Sequence, residues 1–166
     1  HAWYAKQEDL ERAGRLHMIA DITPSQLTHD TAAVERVAGP ERSRTAFAWR
    51  TMLKDGVKLD IGSDMPGLYN KQEISPFDPL ANMHDAVTRK WHPEQAITTE
   101  EAIEAYTINP AFASHEENRK GSIEPGKLAD LVVVSDDILT GSPEKMVSAK
   151  VLYTIVGGKI VYECAR

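Results

Sequence analysis

Apolar and polar positions alternate along this chain in two different rhythms, and the change between them falls near residue 120. In the first rhythm, segments at helical spacing alternate with short strand-like runs. Lys6 to Gly14 sets Leu10 and Ala13 among charges and ends in glycine, which predicts a short helix with a C-terminal stop. Arg15 to Ile22 reads as a strand with Leu16, Met18, Ala20 and Ile22 on one face, closed by Thr23-Pro24. Asp30 to Val37 predicts a helix before the Gly39-Pro40 break. From Glu41 to Lys54, the positions Ala46, Phe47, Trp49, Met52 and Leu53 recur at helical spacing until Asp55-Gly56. Val57 to Ile61 is again a strand, followed by a long loop rich in glycine and proline that opens on Gly62-Ser63-Asp64-Met65-Pro66-Gly67.

Asp78-Pro79 then places an N-cap before a proline at the first helical position, and Leu80, Met83, His84 and Val87 mark one face of the helix it opens. Thr98 or Thr99 followed by Glu100 and Glu101 resembles a capping box for a helix from Ala102 to Thr107. Asn109-Pro110 breaks it, and Ala111 to His115 adds a turn or two. This order of helices and strands implies parallel strands joined by crossover helices.

The second rhythm is β-rich. Gly121 to Gly126 is a turn-rich connector, and Leu128 to Ser135 contains the run Leu131 to Val134, which reads as a buried strand. Val151 to Val156 and Lys159 to Tyr162 flank Gly157-Gly158, a strong two-residue hairpin signal. The expected boundary divides the chain into residues 1–119 and 120–166. The tail is small for a core of its own, so it is expected to complete a sheet built with other residues.

Composition narrows the partners. Hydrophobic residues make up 42% and charged residues 27% of 166, which fits a folded globular chain rather than a disordered one. A net charge of -6 argues against a nucleic-acid surface, which needs lysine and arginine gathered on one face. Cys164 is the single cysteine, so no intrachain disulfide and no cysteine-only metal cluster can form, and a reducing, cytoplasmic setting is expected. No run approaches the roughly 20 apolar residues that span a bilayer, and no signal-peptide pattern opens the chain. His1 is not a methionine, so a processed or truncated piece of something longer is expected.

Asp64 is the strongest candidate for chemistry. A carboxylate at the C-terminal end of a parallel strand stands where barrel enzymes place their catalytic groups. It can ligate a metal ion or take a proton from an activated water. The plain alternative is a turn or N-cap aspartate. His17 faces opposite the apolar set of its expected strand and reads as a packing or outer-face residue. His29-Asp30 is expected in a loop, with Asp30 a plausible N-cap. His84, His92 and His115 lie on helices or loops without a partner at ligand spacing. Arg50 and Arg89 are candidate anion or substrate contacts, with helix-surface charge as the alternative. The chain has no His-x-His, His-Glu-x-x-His, Cys-x-x-Cys, nucleophile elbow, Walker loop or Gly-x-Gly-x-x-Gly after a strand.

Three segments together resemble the C-terminal part of the amidohydrolase superfamily, most closely its YtcJ-like, or amidohydrolase 3, branch. They are Trp49 to Gly56 leading into Leu59 to Pro66; Ile97 to Ser114, with Thr98, Glu101 and Asn109-Pro110; and Lys120 to Val134, with Gly126-Lys127-Leu128-Ala129-Asp130, followed by Thr154 to Glu163. The resemblance implies an α/β fold: the C-terminal part of a (β/α)8 TIM-type barrel, about strands 6–8, followed by part of a composite β-sandwich. It places Arg15 to Ile22 as strand 7 and Val57 to Ile61 as strand 8. Asp64 then takes the place of the family's aspartate, a metal ligand and proton shuttle, and His1 that of a metal-ligating histidine ending strand 6.

What the resemblance implies in function is hydrolysis of C–N bonds, in an amide, N-acyl or cyclic amide, by a water activated on one or two divalent metals, with zinc the expected ion. The expected partners are a small-molecule substrate and the rest of the same barrel or sandwich, with no nucleic acid and no membrane; a homo-oligomer is left open. After strand 7 the branch commonly reads Gln-Pro-x-His, whereas here Thr23-Pro24-Ser25-Gln26 stands, so Gln26 joins Arg50 as a substrate-binding candidate. The family's remaining ligands, a strand-1 His-x-His, a strand-4 lysine or acid and a strand-5 histidine, are expected upstream of residue 1. His1 and Asp64 alone do not make the usual three-ligand catalytic zinc site. The alternative is therefore a non-catalytic module, either a degenerate amidohydrolase or an assembly fragment.

Overall fold

The computed structural model describes residues 1–64 and 77–165, with the backbone alone at 28–30. The expected loop from Met65 onward lies outside the described residues, as does the side chain of His29. In order, the elements are α1 (Gln7–Arg15), β1 (Ile19–Ile22), α2 (Pro24–Ser43), α3 (Trp49–Lys54), β2 (Lys58–Ile61), α4 (Pro79–Thr88), a 3-10 turn (Pro93–Gln95), α5 (Thr99–Tyr106), α6 (Ile108–Ala113), β3 (Leu131–Val134), α7 (Glu144–Ser148), β4 (Val151–Val156) and β5 (Lys159–Glu163).

β1 and β2 pair in parallel, with Ile19 opposite Lys58 and Ile22 opposite Ile61. Strand alternation sends Ile22, Leu59 and Ile61 to one face, where they are buried with Trp49, Met52, Met83, Ala86, Ala102 and Ala105 in a single core. The other face carries Asp21, Lys58 and Asp60. Asp21 and Asp60 are register partners, and burial, then the charge of Asp21, hold the Asp60 carboxyl above the usual carboxylate range. Met146 of α7 is fully buried in the same core.

Local signals produced the elements they promised where the chemistry is local. Asp78 caps α4 by accepting from the Leu80 and Ala81 amides, and Thr98 and Glu101 form a reciprocal capping box on α5. The Gly157-Gly158 turn, with both residues at positive φ, joins β4 to β5 in an antiparallel hairpin, and β3 pairs on the other edge of β4.

Five expectations change. The strand expected from Arg15 begins only at Ile19: α1 runs through Arg15, and His17 turns the chain at φ 53. Among the described residues β1 pairs with β2 alone, from Ile19 onward, and Leu16 and Met18 are more than half exposed. α2 starts at Pro24, so the backbone at residues 29 and 30 is helical rather than looped, and Asp30 is not its N-cap. The helix expected from Glu41 to Lys54 is interrupted between Ser43 and Trp49: Ala46 bridges Tyr4, and the Phe47 amide donates to the Trp3 carbonyl at 2.9 Å. Tertiary pairing with the N-terminal segment overrides helical periodicity there. The break before α6 falls at Thr107, because Pro110 sits in the first turn, where its missing N–H leaves nothing unpaired. Finally, Leu131–Val134 is apolar without being buried: Val132 is 59% exposed, since an apolar run alone does not say which face another layer covers.

Candidate active site at the end of the second strand

β2 delivers its last residues to a crowded place. The Gly62 amide extends the ladder by donating to the Ile22 carbonyl at 3.0 Å, and a side chain at Gly62 would sit 2.9 Å from Asp21 Oδ1. Two residues on, Asp64 turns the chain at φ 53, a left-handed conformation that aspartate adopts more readily than most residues. The neighbouring chain end of β1 runs through Thr23 into α2, so the first turn of that helix stands beside Asp64. This turn is fixed from outside: the Ser25 amide, which has no partner within the helix, donates to Oδ1 of the fully buried Asn82 on α4.

Three of the predicted residues meet here. Gln26 Nε2 donates to Asp64 Oδ2 at 2.7 Å, and His1 Nε2 lies 3.6 Å from the same oxygen. Trp3, which sequence reasoning did not single out, closes the group: its indole Nε1 donates to Gln26 Oε1 at 3.0 Å. Trp3 in turn packs on Phe47, ring centroids 5.3 Å apart, and its carbonyl accepts from the Phe47 amide. Gln26 is 5% exposed, whereas the side chains of His1 and Asp64 are about half open to solvent, at 49% and 42%.

The donor set suits a borderline cation such as Zn²⁺, which takes imidazole nitrogen and carboxylate oxygen. Two donors at about 2.0–2.2 Å from one ion, set at a tetrahedral angle, lie about 3.4 Å apart. The His1–Asp64 separation of 3.6 Å is close to that edge and too long for a hydrogen bond. The two residues therefore fit part of a metal site. Among the described residues no group of three or more His, Cys, Asp or Glu stands ready to hold an ion.

Other candidates are spent elsewhere. Arg50 does not join this group: its guanidinium makes a bidentate pair with Glu101 at 2.6 and 2.7 Å, and its Nε donates to the Ala96 carbonyl. Burial acts to raise the Glu101 carboxyl, but hydrogen bonds from Arg50 and Thr98, with the Arg50 charge, bring it below the usual range. Arg89 is 5% exposed and donates to the Trp91 and Phe47 carbonyls, so it is an internal tie rather than a surface charge. His17 and His115 sit in exposed turns, His92 pairs with Glu94, and His84 lies beside Asp85 and Thr88.

A family model described as "Amidohydrolase family" matches residues 1–162. The chain belongs to the amidohydrolase family. It is 33% identical over 172 residues to the putative amidohydrolase YtcJ of Bacillus subtilis, covering 98% of this chain and 31% of that protein. It is 38% identical over 124 residues to an N-substituted formamide deformylase of Arthrobacter pascens, covering 70% of this chain and 21% of that protein. Among solved structures it superimposes on an uncharacterized metal-dependent hydrolase of Pyrococcus horikoshii with TM-score 0.72 and 26% identity, over 87% of this chain and 29% of that one. The chain thus spans less than a third of the length of these relatives, and as a mixed α/β unit it aligns with part of an amidohydrolase structure.

Proposed function

We propose that the protein is a metal-dependent hydrolase of C–N bonds in an amide, N-acyl or cyclic amide, with its proton transfer centred on Asp64. The observation that carries this reading is the approach of His1 and Asp64 to 3.6 Å at the end of β2. Family membership supplies the reaction class, and the relative named as an N-substituted formamide deformylase supports a C–N substrate. In this reading β1 and β2 are the seventh and eighth strands of a barrel, His1 ends the sixth, and residues 120–166 belong to a small β-sandwich.

His1 Nε2 and Asp64 would hold a divalent ion, which we take to be zinc, together with ligands from the rest of the barrel. Bound there, such an ion would supply an acidified water and Lewis acidity toward a carbonyl. The chain's own contribution is the Asp64 carboxylate, which accepts the proton of the attacking water and passes it to the departing nitrogen. The half-open side chains of His1 and Asp64 leave room for a substrate to reach them.

The test uses the full-length gene product. It should purify with, or be reconstituted by, a divalent metal and hydrolyse N-acyl or cyclic amides. Asp64→Asn should fold normally while turnover falls by about 10²–10⁴-fold, because an amide cannot take up the proton. Unchanged turnover in that variant sinks the role given to Asp64. Less than about 0.1 equivalent of metal that resists reconstitution, with no amide hydrolysis, sinks the metal-hydrolase reading.

A further inference from the structure

We propose that Gln26 is a positioning residue for Asp64, held in its working orientation by Trp3, rather than a substrate contact. The inference rests on the role given above to Asp64. Its geometry is that of a relay: indole N–H to amide oxygen at 3.0 Å, then amide N–H to carboxylate oxygen at 2.7 Å.

The donor chemistry fixes which way the amide faces. An indole nitrogen can only donate, so the Gln26 atom opposite Trp3 is Oε1. An ionised carboxylate can only accept, so the opposite end, Nε2, belongs against Asp64. Both ends of the relay demand the same orientation, and the flip that usually leaves a glutamine ambiguous is excluded. Gln26 has little freedom to abandon this role, since it is 5% exposed and stands in the first turn of α2, pinned through the Ser25 amide to Asn82. Trp3 is likewise fixed by its contact with the fully buried Phe47 and by its carbonyl.

What the relay does follows from which oxygen it touches. Gln26 donates to Oδ2, the oxygen that also lies 3.6 Å from His1 Nε2, and so restrains the carboxylate with Oδ2 set where an ion shared with His1 would lie. In this proposal the other oxygen, Oδ1, is the one that takes up the proton of the water. Asp64 stands at a strand end at positive φ, with a side chain 42% exposed, and without Gln26 it would sample other rotamers.

The experiment takes the full-length protein through Gln26→Met, Trp3→Phe and the double variant, measuring kcat, KM and, by chelator competition, Zn²⁺ affinity. Gln26→Met should lower kcat and Zn²⁺ affinity by about 10–100-fold, the usual effect of removing a residue that orients a ligand. KM should stay within about threefold, because substrate is not what Gln26 touches. Trp3→Phe should lower kcat by a smaller, about 2–10-fold, factor. The double variant should match Gln26→Met within about twofold, because Trp3 acts only through Gln26. A raised KM with unchanged kcat in Gln26→Met would overturn the proposal in favour of substrate binding, and multiplying single effects would overturn the relay. If Gln26→Met does not fold, Trp3→Phe carries the test: unchanged kcat and Zn²⁺ affinity there overturn it. Retained turnover in Asp64→Asn is a separate outcome, which removes the functional reading itself.

Discussion

Replacing Arg89 by methionine should destabilise the protein by about 3 kcal/mol, and the structure indicates where that figure comes from. The guanidinium is 5% exposed, donates from Nη1 to the Phe47 carbonyl at 2.7 Å and from Nε to the Trp91 carbonyl at 2.9 Å, and lies 4.5 Å from the centre of the Trp49 ring. Hydrogen bonds from a charged donor contribute about 1.5–3 kcal/mol each, so two span about 3–6. Burial, only partly offset by the charge of Glu94, lowers the Arg89 pKa to about 10, which says that the surroundings resist the charge and favours the lower end of that span. Methionine keeps an unbranched apolar side chain while deleting both donors and the cation over Trp49, and it leaves the Trp91 carbonyl short of a partner. The assay is urea unfolding followed by circular dichroism, with the slope against denaturant checked for constancy. A loss below about 0.5 kcal/mol at unchanged slope would refute the claim that Arg89 is an internal tie. The tie reaches the candidate site, because Phe47 holds Trp3 and Trp3 holds Gln26.

Asn109→Ala removes the buried amide that donates to the Leu59 carbonyl at 2.9 Å and should lower the urea midpoint by an amount equal to about 1–3 kcal/mol; no shift would mean that water replaces the bond at no cost. Glu101→Gln should lose about 1–2 kcal/mol at pH 7, since the carboxylate both pairs with Arg50 and closes the capping box. The folded-state pKa of Glu101 lies below its ordinary 4.5, so this stabilisation is fully present above pH 4.5 and is lost as pH falls through the folded value; unfolding curves in which the gap between wild type and Glu101→Gln stays constant down to pH 3 would contradict it. Gly14→Ala would place a Cβ 1.7 Å from the Asp55 carbonyl oxygen, so helix α1 must move, and a thermal melt should show a loss at or above the upper end of about 1–3 kcal/mol; a loss under 1 would show that α1 and α3 are not locked together there.

What the sequence made legible is what depends on near neighbours. Asp78 and Thr98 cap helices through residues two and three positions away, and Gly157-Gly158 turns a hairpin between adjacent strands, so the local pattern sufficed. Asp64 was legible as a carboxylate just past a strand end, from a strand followed by Gly62-Ser63, with a plain turn as the local alternative; its role came from the resemblance. The rest of the site is built across the chain. Trp3 reaches Gln26 over 23 positions, Gln26 reaches Asp64 over 38, and Arg89 reaches Phe47 over 42. No periodicity carries such pairings, so the sequence offered Gln26 as a substrate-binding candidate and left Arg89 between an anion contact and a surface charge, and in neither case did it show a buried donor with its acceptor. The same cause broke the helix expected through Phe47: the five residues 44–48 leave the helix where the Phe47 amide bonds the Trp3 carbonyl and the Phe47 carbonyl accepts from Arg89, tertiary bonds that helical periodicity does not register. The misread helix and the missed relay are therefore one event. The segment that leaves the helix at Phe47 is the segment that anchors Trp3, and Trp3 is what orients Gln26 toward Asp64.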